Sequence, residues 1–135
     1  MRKLSILLLC VLLLSACGQG QSGNPTTTQK TEAVYMNITA QEAKQIMDTQ
    51  TGYVILDTRE QYEYDESHIP GAVLLPYDQV EEKAEGMLPD KDQLILVYCR
   101  SGRRSKIAAE SLVALGYTNI REFGGIIDWP YDIET

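Results

Sequence analysis

Leu94-Ile95-Leu96-Val97-Tyr98-Cys99-Arg100-Ser101-Gly102-Arg103-Arg104-Ser105 is the stretch that decides the fold. Five apolar or aromatic residues run straight into a cysteine, and a short loop with one glycine and three arginines follows. The apolar run reads as a strand buried on both faces, the pattern of a parallel sheet. Ser105 suits a helix N-cap and opens an amphipathic run from Lys106 to Leu115. Cys99 therefore belongs at the carboxyl end of a strand, just before a helix N-terminus. Open α/β sheets bind ligands at that end of their strands.

The loop carries specific chemistry. A thiol becomes a much better nucleophile when its pKa falls below the free value of ~8.5. Unpaired N–H groups at a helix N-terminus, together with Arg100, Arg103 and Arg104, favour a thiolate and attract an anionic substrate. Gly102 lets the backbone curl where a side chain would obstruct it. A buried structural cysteine is the plainer alternative, but three arginines beside it argue against that.

Working outward, the 135 residues suit one domain. Arg2 and Lys3 precede an apolar run from Leu4 to Leu14, the pattern of a secretory signal too short for an ordinary membrane span. Leu14-Ser15-Ala16-Cys17 resembles the lipobox of bacterial lipoproteins. That resemblance implies cleavage after residue 16 and lipid on Cys17. It also implies a chain anchored to a membrane of the bacterial cell envelope, on the extracytoplasmic side. Cys10 leaves with the signal and Cys17 is lipidated, so Cys99 remains as the sole free thiol and no intramolecular disulfide is expected. Loss of Arg2 and Lys3 takes the net charge from −7 to −9. So acidic a body speaks against a nucleic-acid partner, and the three arginines form a local positive island on it. Residues 17–32, rich in Gly, Gln, Ser and Thr, read as a flexible tether.

From residue 33 to 135 strands alternate with helices, which predicts an α/β domain with a parallel sheet. The first strand is placed at Ala33 to Met36. Thr39 and Glu42 form a capping box before a helix striped by Ala43, Ile46 and Met47. Tyr53 to Asp57 is a strand, and Glu60 to Asp65 a short acidic helix. Ala72 to Leu75 is a third strand. Asp78 would cap a helix from Gln79 to Glu85, whose Glu81, Glu82 and Glu85 form a solvated face. Gln93 to Tyr98 is the fourth strand, and its helix ends at Gly116. Asn119 to Glu122 is the fifth strand. Gly124-Gly125 would then turn the chain into a short final helix stopped by Pro130.

These residues carry a family resemblance that spans residues 33–135. Asp57-Thr58-Arg59 with Tyr64, then His68-Ile69-Pro70-Gly71-Ala72, is similar to the first signature of single-domain rhodaneses. The run from Cys99 to Ser105 resembles their active-site loop, and Gly124-Gly125-Ile126 with Trp129 their closing segment. Ser67 departs from the glycine more usual before His-Ile-Pro-Gly. The resemblance implies a three-layer α/β/α rhodanese-like domain with a five-stranded parallel sheet of order 3-2-4-5-1. It implies that Cys99 accepts a sulfane sulfur as a persulfide and passes it to cyanide or a thiol. The donor would be a small anion such as thiosulfate, or a protein persulfide.

By the same resemblance, the backbone of Arg100, Ser101, Gly102, Arg103 and Arg104 would cradle the persulfide. Arg100 and Arg103 would face the substrate anion, and Arg104 would tie to the scaffold with Asp57 as its carboxylate partner. Asp57, Arg59 and His68 are then structural supports, and Trp129 packs near the pocket. His68 is the only histidine, which invites a Cys–His catalytic pair; the family instead uses its counterpart in a turn. One His and one Cys make too thin a ligand set for a metal, and no cofactor is implied.

Three other activities compete. A cysteine-dependent phosphatase of the same fold needs arginine six positions after its cysteine, where this chain has Ser105. A non-catalytic partner-binding module would not need the intact cysteine loop. Thiol redox work with a partner's cysteine uses the same low-pKa thiol.

Overall fold

The computed structural model describes residues 34–135. The proposed signal, lipidated Cys17 and tether lie outside the described residues. Five strands form one sheet: β1 (Met36–Asn37), β2 (Tyr53–Asp57), β3 (Val73–Leu74), β4 (Leu94–Cys99) and β5 (Ile120–Gly125). Four α-helices connect them: α1 (Ala40–Thr49), α2 (Gln61–Glu66), α3 (Val80–Met87) and α4 (Arg103–Ala114). The spatial order is β1-β5-β4-β2-β3, which is the expected order read from the other edge. Every neighbouring pair is parallel.

Side chains alternate across the sheet because successive strand residues point to opposite faces. Ile95 and Val97 of β4 join Leu56, Val80, Ala84, Ala108 and Leu112, so α3 and α4 cover one face. Leu96 and Tyr98 join Ile55, Ala43, Ile69, Phe123 and Trp129, so α1 and the chain end cover the other. Leu56, Ile95, Leu96 and Val97 are completely or almost completely buried. Burying one such side chain contributes about 1.5–3 kcal/mol.

Several boundaries differ from expectation, each for a local reason. β1 is shorter and later than Ala33 to Met36: Val34 is exposed, and pairing with β5 starts where Met36 meets Arg121. Asp78 does not cap α3. It lies in a 3-10 turn, Tyr77–Gln79, that leads into the helix without a side-chain cap. Ser105 does not cap α4, because Gly102, at φ 100°, turns the chain into the helix three residues earlier. β5 runs on through Gly124 and Gly125 instead of turning there. Its ladder with β4 slips by one residue, so Val97 faces Glu122 but Cys99 faces Gly125. Such a bulge re-aims side chains at the end of a strand.

Candidate active site

The carboxyl ends of β2, β4 and β5 bring Asp57, Cys99 and Gly125 to one end of the sheet. Cys99 is 1% exposed and is the free cysteine of the described residues. Its Sγ accepts from the Gly102 N–H at 3.0 Å and lies 3.3 Å from Ser105 Oγ. Burial pushes the thiol pKa up. The Ser105 hydroxyl and the backbone N–H groups of Ser105, Gly102 and Ser101 outweigh that, and the net direction is down. The expected low-pKa thiol is thus produced by donors of the curled loop rather than by the arginine charges.

Packing forces that curl. A Cβ on Gly125 would lie 1.9 Å from the Arg100 carbonyl oxygen and 2.5 Å from the Ser101 nitrogen. The loop backbone therefore lies directly against the end of β5. Ile127 N–H also donates to the Arg100 carbonyl at 3.2 Å, fastening the loop to the turn after β5.

The arginines divide. Arg100 and Arg103 are exposed, and neither pairs with a carboxylate among the described residues. Arg104 turns back to Glu63 of α2, with contacts of 2.6 and 2.8 Å. This corrects the expected Arg104–Asp57 pair. The Arg104 hydrogen bonds hold the Glu63 carboxyl at about 2. Partial burial opposes them, and the Glu60 N–H adds to them. Asp57 belongs instead to Arg59, two residues along, whose Nη2 approaches to 2.7 Å and also reaches the Ser67 carbonyl at 2.7 Å. Tyr98 OH donates to Asp57 at 2.6 Å and accepts from the Ile69 N–H at 3.1 Å. These bonds fix the turn from Ser67 to Gly71 and satisfy a fully buried aspartate. The Tyr98 phenol is pushed up by burial first and then by Asp57.

His68 sits in that turn, and its ring meets Tyr64 and Glu134 rather than Cys99. Its ring stacks on Tyr64 at 3.8 Å, Nδ1 meets the Tyr64 carbonyl at 2.8 Å, and Nε2 lies 3.3 Å from Glu134. Its backbone also exchanges two hydrogen bonds with Glu134, both 2.8 Å, closing the chain end onto the turn. Trp129 packs on Phe123 and Tyr131.

Two buried residues at the site escape the sequence pattern: Glu122, and Ser105 as a partner of sulfur. Ser105 Oγ donates to Glu122 Oε1 at 2.6 Å, and the Gly124 N–H reaches the same oxygen at 2.9 Å. Period-two spacing from Ile120 places Glu122 on the α4 face. A charged residue there was the available signal.

Residues 39–130 match the rhodanese-like domain family. The chain is 37% identical over 73 residues to the thiosulfate sulfurtransferase PspE of Escherichia coli K12, covering 54% of this chain and 70% of that protein. It is 31% identical over 97 residues to the adenylyltransferase and sulfurtransferase UBA4 of Candida albicans, covering 67% of this chain but 22% of that protein. A solved structure described as rhodanese with anions from E. coli superposes with a TM-score of 0.58 at 32% identity. It covers 62% of this chain and 98% of its own. Sheet order, cysteine loop and relatives agree, and the chain belongs to the rhodanese-like domain family.

Proposed function

We propose that the protein is a sulfurtransferase that carries sulfur as a persulfide on Cys99. The Cys99 thiolate attacks the sulfane sulfur of an anionic donor such as thiosulfate. A new S–S bond forms, the donor's S–S bond breaks, and sulfite leaves with the bonding electrons. A thiol or cyanide then attacks the outer sulfur and releases the thiolate. The observation that carries this reading is the cradle itself, with backbone N–H groups directed at one sulfur and the Ser105 hydroxyl 3.3 Å from it. Fixed donors of this kind stabilise charge on sulfur without reorganising during the reaction. Arg100 and Arg103, unpaired among the described residues, supply the attraction for the donor anion.

Thiosulfate should add the mass of one sulfur to Cys99, and cyanide should remove it as thiocyanate. Cys99→Ser should abolish both while the protein stays folded. Retention of most of the wild-type rate by Cys99→Ser would refute the assignment. Aryl-phosphate hydrolysis by the wild type, lost in Cys99→Ser, would favour a phosphatase instead. We further propose that lipid on Cys17 holds this activity at a bacterial envelope membrane, a reading supported by the sequence of residues 1–17.

A further inference from the structure

Ser105 Oγ has four acceptors around it: Glu122 Oε1 at 2.6 Å, the Gly102 carbonyl at 3.1 Å, Cys99 Sγ at 3.3 Å and the Gly124 carbonyl at 3.4 Å. A serine hydroxyl has one proton. Ser105 is fully buried and Glu122 is 2% exposed, so bulk water does not settle the competition. An ionised Glu122 takes that proton, because its contact is shortest and charge-assisted. Sulfur then keeps only the backbone N–H groups. A thiolate beside an ionised Glu122 would place two buried anions on one hydroxyl.

We propose that Ser105 and Glu122 form a buried proton relay for Cys99. As the Sγ–H bond breaks, its proton goes to Ser105 Oγ, and the proton already on Ser105 goes to Glu122 Oε1. Two bonds to hydrogen break and two form, nothing is oxidised or reduced, and the trio keeps a single negative charge. Donation then runs the other way, from Glu122 to Ser105 to sulfur, and the thiolate gains a hydroxyl donor. Ser105 touches the reacting sulfur, whereas Glu122 acts through it as a positioning residue. The proposal rests on Cys99 being the sulfur-transfer nucleophile.

Other charged groups border the trio. Arg104 of α4 feels the Cys99 charge and is already paired with Glu63 of α2. Arg100 lies on the loop and Arg103 opens α4, and Asp57 and Arg59 pair at the end of β2. Tyr35, before β1, is pushed up by burial first and then by Glu110 and Glu122. Among the described residues, only Ser105 and Gly124 donate to the Glu122 carboxylate.

The test is the rate of Cys99 alkylation by iodoacetamide against pH, followed on the Cys99 peptide by mass spectrometry. It requires no sulfur transfer, so its outcome is separate from that of the proposed activity. In the wild type the relay should let Cys99 react as a thiolate from lower pH. In Glu122→Gln, whose amide cannot take the proton, the onset of alkylation should move to higher pH. Ser105→Ala should slow alkylation at pH 7 by ~10-fold, the loss of a hydrogen bond to a charged group. Superimposable wild-type and Glu122→Gln profiles would overturn the relay. Infrared difference spectra of the unsubstituted protein supply a check that does not depend on folding of a variant. At a pH where Cys99 stands as the thiolate, the relayed proton sits on Glu122; alkylation removes the anionic sulfur, so a carboxylic-acid C=O band should disappear. Absence of that loss would equally overturn the proposal.

Discussion

A methyl group on Gly125 would collide with backbone, not with a side chain that could swing away. Gly125→Ala must therefore push the Arg100–Ser101 peptide off its position. The expected cost is about 3 kcal/mol of stability from overpacking. Sulfur transfer should fall by ~100-fold, because displacing the loop misplaces donors meant for one atom. A variant with wild-type turnover would show that the loop tolerates the shift. Glu63 offers a different residue-scale test. Its carboxyl lies at about 2 in the folded protein, below the ordinary glutamate range, so its contribution is present above ~4.3 and is lost as pH falls toward 2. Urea titrations should show wild-type stability declining across that window. Glu63→Gln should decline less there and be weaker at pH 7 by about 2 kcal/mol, since it leaves Arg104 half-buried without its counter-charge. Equal acid slopes would disprove the assignment.

Among the elements, α1 is defined by its cap. The Thr39 hydroxyl accepts from the Glu42 N–H at 3.1 Å, and Glu42 reaches back to the Thr39 N–H at 2.8 Å. Thr39→Ala should lower stability by ~1 kcal/mol in chemical denaturation, without changing sulfur transfer. That box was readable because its partners are three residues apart. β4 was readable for a similar reason, since an unbroken apolar run allows few alternatives. The start of α4 was not: Ser105 is a good cap by type, but Gly102 turned the chain first, and the hydroxyl went to sulfur and Glu122. The Arg104–Glu63 pair was equally out of reach. It joins residues 41 positions apart, and only the folded chain brings Glu63 rather than Asp57 to Arg104.

At the scale of the whole molecule, a net charge of −7, or −9 once Arg2 and Lys3 are lost, surrounds the Cys99 loop and Arg100 and Arg103, which pair with no carboxylate among the described residues. The anchor we propose would hold that loop close to a membrane surface. Mature protein from cells should carry lipid on Cys17 and partition with membranes, and Cys17→Ala should move it to the soluble fraction. An unmodified Cys17 in a soluble secreted form would refute the anchor. The sheet order bears on biosynthesis as well. β5 is made last, yet it lies between β1, made first, and β4. Until residue 125 has left the ribosome, the amino-terminal strand has no neighbour and one edge of β4 stays bare. Folding here cannot proceed strand by strand behind synthesis, and nearly the whole domain must be available before the sheet closes. A chain threaded through a secretion pore would benefit from that delay, since it would still be unfolded when it reached the channel.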